Sequence, residues 1–325
     1  STLAVLLLAW ANAIAEGRND LSVVVNTPVF FSRTTCEVAS NGVEMGVGWS
    51  CIYAPMPHLC AFDTQQDLLK FNELRGVSTA AADVIATRGV DYLRQQIEPI
   101  RNAIAGSGVD LMEALANLYE YLQIHLQPWC KADIQAILEE PDIADMRKGR
   151  YVGMHIRRTD KQLIDGAVFT ETKTYFDNIV DFFNSSAAGL AATDITGLWL
   201  STDDPNVVDE ASCKEGSCSR ELAPDYFPNM VAEDVLCIDD RVPVRLMLPG
   251  QFQEGTTDRN TYPATVLLMA EMKMLADSDV FSGTLSSNIG RIVALMRHTL
   301  GKPKESVLSG DNPKVWVPGR FRRLR

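Results

Sequence analysis

The chain has 325 residues, 46% of them hydrophobic and 22% charged, which is enough material for two ordinary domains with sizeable cores. Its formal net charge of −12 argues against duplex nucleic acid or an anionic membrane surface as the main partner, since both reward a basic face. An acidic chain that still carries a local Arg/Arg/Lys cluster points to a small anionic ligand instead.

Residues 1–15 are strongly apolar but lack a basic leading region, and the run is too short to span a bilayer. A buried first helix over 1–17 is expected, then a strand over 21–25, with the chain starting inside a domain and further sequence upstream. An irregular Cys/Gly/Pro-rich stretch covers 32–63. A helical region follows over 64–138, with breaks near Gly106 and Pro128. The seven cysteines include no CxxC and no zinc-type Cys/His spacing. Cys51 with Cys60, and Cys213 with Cys218, could close small disulfides, and free thiols are the equal alternative. Asn184-Ser-Ser is the single N-glycosylation sequon, which favours a secretory origin. His58, His125 and His298 read as isolated structural histidines.

Residues 141–149 are charged, contain a proline and lack apolar periodicity, so the domain boundary is placed there. This divides the chain into an N-terminal α/β and helical domain (1–145), a Rossmann-like domain (146–300) and a tail (301–325) expected to run over the surface. The second domain alternates regularly: strand 151–156, helix 173–183, strand 197–201, strand 235–238, helix 263–276, strand 279–282, helix 287–299. Strands alternating with helices predict an α/β fold with a parallel sheet and crossover helices.

The strand ends carry the chemistry. Residues 151–161 read YVGMHIRRTDK, an apolar strand that ends in a burst of charge. In an open α/β sheet the carboxyl ends of strands are where ligands bind. Arg157, Arg158 and Lys161 there suit a phosphate, because guanidinium forks match phosphate oxygens in pairs. The bland alternative, a solvated charge cluster, fits a helix face better than a strand end. The design recurs: the strand at 198–201 ends in Thr202-Asp203-Asp204-Pro205, that at 235–238 in Asp239-Asp240-Arg241, and that at 279–281 in a Ser/Gly/Thr-rich turn with Ser286, Ser287 and Asn288. Small hydroxyl residues at a helix start offer N–H groups and the positive dipole end to an anion, although any one of them could simply cap the helix. Glu271 lies in a nearly all-apolar helix, where a carboxylate needs a partner: the N–H edge of a guanine, or a neighbouring Lys or Arg. Asp160, Asp203, Asp204, Asp239 and Asp240 could bind Mg²⁺ in principle, but none forms an Asp-x-Asp pair, and the arginines already supply positive charge. No metal is expected.

The motif from His155 through Arg157, Arg158 and Asp160 to Lys161 resembles the donor-site motif of α1,6-fucosyltransferases of the core-fucosylation type. The likeness extends in order through Tyr53-Ala-Pro55 and Cys60, Gln127-Pro-Trp129, Phe169 and Tyr175, Ser201-Thr-Asp203-Asp204-Pro205, and Thr284-Leu-Ser286-Ser287. It implies a GT-B-like fold of two domains, the second binding GDP-fucose, and metal-free inverting transfer to a glycan or glycoprotein acceptor; the alternatives are a non-catalytic GDP-sugar- or glycan-binding relative and a transferase using a different nucleotide sugar. It also implies a Golgi or secretory-pathway enzyme whose membrane anchor lies outside this chain.

Carried onto this chain, Arg157 would hold the β-phosphate, with Arg158, Asp203 and Asp204 organising the site. His155 and Glu271 would read guanine, Glu271 standing where the family has an aspartate. Ser286, Ser287 and Asn288 would complete the phosphate contacts. The family's general base, a glutamate four residues after the motif lysine Lys161, corresponds to Asp165, which reaches about one methylene less far. Two cysteines that bracket the Ser/Ser turn in the core enzyme are Gly283 and Gly290 here. The core enzyme's helical stem and SH3-like domain have no counterpart, and the resemblance leaves the acceptor open.

Overall fold

The computed structural model describes residues 110–158, 169–185, 189–211 and 262–311 continuously, with shorter pieces at 21–24, 35–37, 44–47, 52–54, 59–62, between 100 and 108, between 226 and 229, and at 235–236. The expected first helix, Lys161, Asp165, the cluster at 239–241 and the Cys213/Cys218 and Cys51/Cys60 pairs lie outside the described residues or side chains. The chain divides into two compact units, 1–133 with 254–266, and 134–253 with 267–325.

In the first unit, β1 (Leu21–Val24) pairs in parallel with β4 (Leu59–Phe62), and β2 (Thr35–Glu37) pairs antiparallel with β3 (Glu44–Val47). Helix α1 (Leu111–Ile124) starts on Asp110, whose carboxylate accepts the Glu113 N–H at 2.7 Å. This satisfies one of the donors that a helix start leaves open. Two segments of the sequence resemblance meet here. Gln127 donates from its side chain to the Tyr53 carbonyl at 3.2 Å and from its backbone to Ile52 at 2.8 Å. His125 donates from Nδ1 to the Tyr121 carbonyl at 2.8 Å, a structural duty as expected.

Helix α2 (Pro128–Leu138) runs across the division between the units, and α3 (Pro141–Met146) follows in the stretch expected to be irregular. Pro141 opens α3, where its fixed φ suits a helix and its missing N–H costs nothing. Only Ile143 of this short helix is buried, so no periodicity could announce it.

The second unit holds the expected parallel α/β sheet. Among the described residues five strands, β5 (Tyr151–Ile156), β6 (Gly197–Thr202), β7 (Val235–Leu236), β8 (Val280–Gly283) and β9 (Val307–Ser309), run in the order β7-β6-β5-β8-β9. Every pairing is parallel. The tail expected from Gly301 therefore begins with an edge strand; β9 has three residues, too few for an alternation to show. On one face α4 (Thr172–Asn184) and α5 (Pro205–Ala211) bury Phe176, Ile179, Val207 and Ala211 against Val152, Met154, Ile156, Leu198 and Leu200.

The other face carries α6 (Tyr262–Asp277, here from Leu267 on) and α7 (Asn288–Thr299). There Gly153 lets α6 approach: a Cβ at Gly153 would stand 3.2 Å from the Leu275 Cα and 2.8 Å from the Ser278 hydroxyl. Buried Arg297 of α7 staples this layer, donating to the carbonyls of Ala276, Ser278 and Asp279 and to the Ser306 hydroxyl at 2.6–3.1 Å. It thereby satisfies carbonyls that the end of α6 leaves open.

Candidate functional site

The order β7-β6-β5-β8-β9 has a switch point. From β5 the chain winds outward through β6 and β7 on one side, and from β8 through β9 on the other. The helices after β5 and β8 lie on opposite faces, so a crevice opens between these two strand ends, the usual ligand position in doubly wound sheets. Arg157 and Arg158 follow β5, and Thr284 to Asn288 follow β8. Three of the four expected strand-end clusters therefore share one edge.

Strand alternation separates the two arginines. Val152, Met154 and Ile156 face α4 and α5, so the even side continues into Arg158 and the odd side into Arg157. Arg158 is buried among residues of that helical layer. Its Nη1 and Nη2 donate to the two oxygens of Glu210 at 3.1 and 3.2 Å, Nη2 also to Thr172 Oγ1 at 2.6 Å, and Nε to the Thr170 carbonyl at 3.3 Å. The exposed ring of Phe169 stacks on its guanidinium, 4.6 Å away. The fork expected to help grip a phosphate is thus committed to the protein, because the strand aims it into the helices.

Arg157 keeps a quarter of its side chain exposed, and its Nη1 lies 3.4 Å from Asp203 Oδ2. Its backbone N–H donates to Thr284 Oγ1 at 3.0 Å. Asp203 is buried and bridges both arginines, since its Oδ1 accepts the Arg158 backbone N–H at 2.9 Å.

Asp204, on the even side, has a different task. Its Oδ1 accepts the Asn206 N–H at 3.0 Å and the Asn206 side-chain amide at 2.8 Å, which caps α5 ahead of Pro205. Its ion pair to Arg158 is long, 3.7 Å. The two adjacent aspartates therefore divide as the arginines do.

Thr284 ties the switch point together. Its N–H donates to the His155 carbonyl at 2.9 Å, closing β8 onto β5. Its hydroxyl lies 2.7 Å from the Tyr175 hydroxyl and 3.3 Å from the same carbonyl. Burial pushes the Tyr175 phenol well above its ordinary range, partly offset by the hydrogen bond to Thr284. Tyr175 therefore stays protonated, and either hydroxyl of the pair can donate to the other.

Beyond Thr284, Ser287 occupies the N-cap position of α7 by its backbone, without a side-chain capping bond. Asn288 accepts from Arg291 Nη1 at 3.3 Å. The Ser286 N–H donates to Asp311 Oδ2 at 3.2 Å, and its hydroxyl bonds the same carboxylate. A carboxylate of the chain itself thus sits on donors of the kind that bind a phosphate. His155 and Glu271 are both buried on the α6/α7 side of the sheet. Sequence reasoning left Glu210, Thr172 and Asp311 out of the site. None of the three carried a spacing that marks it: Glu210 follows Asp204 by about 1.7 helical turns, off the face that Asp204 occupies.

The model of alpha-(1,6)-fucosyltransferase N- and catalytic domains matches residues 42–217, just over half of the chain. The chain belongs to this family. The matched span contains β5, both arginines, Asp203, Asp204 and Glu210. No curated protein matches the sequence. Among solved structures, the NodZ alpha-1,6-fucosyltransferase soaked with GDP-fucose is similar at 13% identity, over 90% of this chain and 86% of that one, with a TM-score of 0.44. The fucosyltransferase NodZ from Bradyrhizobium is similar at 13% identity, over 85% and 82% of the two chains, with a TM-score of 0.39. With scores below 0.5, these likenesses carry no part of the functional argument.

Proposed function

We propose that the chain moves fucose from GDP-fucose to a glycan acceptor, with inversion at the sugar carbon and without a metal ion. The observation that carries this reading is the seat of Arg157. Its backbone is pinned to Thr284 and its guanidinium to Asp203, at the switch point and beside the Ser286–Asn288 turn. A guanidinium held there meets the β-phosphate and gains most as charge builds on the departing GDP, which is electrostatic stabilisation of the transition state.

In this reading the α7 turn contributes N–H and hydroxyl donors from Ser286, Ser287 and Asn288, and His155 and Glu271 read the guanine. Lys161 and Asp165 complete the site, Asp165 taking the acceptor hydroxyl proton. The two units form a GT-B-like pair, with the acceptor on the first. The metal-free reading is supported by the commitments of Asp203 and Asp204, one to the arginine pair and one to a helix cap. A glycan acceptor suits the Golgi lumen or another secretory compartment. Among the described residues no helix is long and apolar enough to cross a membrane.

Calorimetric titration with GDP, GDP-fucose, GDP-mannose and UDP-sugars in EDTA tests the proposal. GDP and GDP-fucose should bind without metal, and Arg157→Ala should lose transfer and weaken GDP. Absence of binding by any guanine nucleotide, or full transfer by Arg157→Ala, would overturn it. The sugar panel is needed because the proposed contacts address the nucleotide and phosphates rather than the sugar.

A further inference from the structure

We infer that Glu210 is a positioning residue for transfer, setting Arg157 through Arg158 and Asp203; this rests on the donor-site reading above. Glu210 sits on α5 and, in this inference, acts on the site through Arg158. Both of its oxygens are taken by the Arg158 fork, at 3.1 and 3.2 Å, and the Thr172 hydroxyl donates to Oε2. This bidentate hold is the strong form of the Arg–carboxylate pair. It keeps a second cation, one residue from Arg157, turned away from the crevice.

The alternative partners of Arg158 show what Glu210 prevents. The next carboxylate is Asp204, 3.7 Å from Nη1, while Asp203 already holds the Arg158 backbone N–H. Without Glu210 the fork moves toward Asp204, whose Oδ1 caps α5 through Asn206. It also competes with Arg157 for Asp203, the residue that holds the Arg157 guanidinium and the Arg158 N–H together. The consequence is a misdirected Arg157 in a site that still has all its cations. Orientation would suffer more than attraction, so the chemical step should fall while donor binding persists.

Steady-state kinetics of the full chain with GDP-fucose, well below the unfolding midpoint of each variant, test this. Glu210→Gln, nearly isosteric, should lower kcat by ~10-fold with donor KM changed by less than ~2-fold, since a small misplacement of a catalytic group costs that much. Glu210→Asp should fall between wild type and Glu210→Gln. In an Arg158→Met background, Glu210→Gln should add nothing, because its whole effect passes through Arg158. Wild-type kcat in Glu210→Gln, or effects that simply multiply in the double variant, would overturn the inference. If Arg157→Ala abolishes transfer while Glu210→Gln is unaffected, only the role of Glu210 falls. If Arg157→Ala is fully active, the donor-site reading itself falls.

Discussion

Replacing Asp203 by Asn separates its two tasks. The lost contact is the Arg157 ion pair at 3.4 Å, for which Coulomb's law at an effective dielectric near 20 gives about 5 kcal/mol of gross attraction. The arginine side is a quarter exposed, and burying the carboxylate has its own cost, so about 2 kcal/mol should survive as net stability. Asn keeps an oxygen for the Arg158 N–H, whereas Asp203→Ala also orphans that buried donor, for about 1–3 kcal/mol more. Urea unfolding should order the proteins wild type, Asn, Ala. Hydrogen exchange should show the Arg158 amide protected in the first two and open in the third. Removing a negative charge beside Arg157 should leave GDP binding as tight or tighter, while transfer falls by ~100-fold as the guanidinium loses its direction. The reasoning is refuted if Asp203→Asn is as stable as wild type, if it loses GDP binding, or if the Arg158 amide stays protected in Asp203→Ala.

Two further outcomes are expected on the α7 side. A Cβ at Gly290 would stand 2.4 Å from the Thr284 carbonyl oxygen, so Gly290→Ala should push α7 off the turn at about 1–3 kcal/mol and weaken GDP; an unchanged melting temperature and affinity would contradict this packing. Asp311→Asn should tighten GDP by roughly three- to tenfold at low salt, because the carboxylate on Ser286 repels an incoming phosphate; weaker binding would show that Asp311 helps to build the site.

The architecture of the second unit was legible because parallel strands buried on both faces read as apolar runs. The ends of the long elements fell within one or two residues of expectation. The sheet order was not legible, yet it decides which strand ends meet. It is set by which helices cover which face, through contacts such as Gly153 against α6. The grouping of Arg157 with Arg158 failed for a simpler reason. Alternation was visible through Ile156 and needed only two more residues to send the arginines to opposite faces. A charge cluster was read as one object where the backbone makes it two. Glu210 was invisible as a partner because a carboxylate on a polar helix surface looks the same whether or not an arginine reaches it from a strand.

The β8–α7 turn is held from within the fold. Gly290 lets α7 press against the Thr284 carbonyl, and the Thr284 hydroxyl is fixed between Tyr175 and His155. On its far side, Gly310 donates to the Gly283 carbonyl at 3.0 Å and Asp311 holds Ser286. The last two of these contacts need β9 alongside β8. Through β9 and the Gly310 N–H the segment after Gly301 therefore supports the turn of the proposed donor site, and removing it should weaken GDP in a calorimetric titration, whereas Asp311→Asn alone should not.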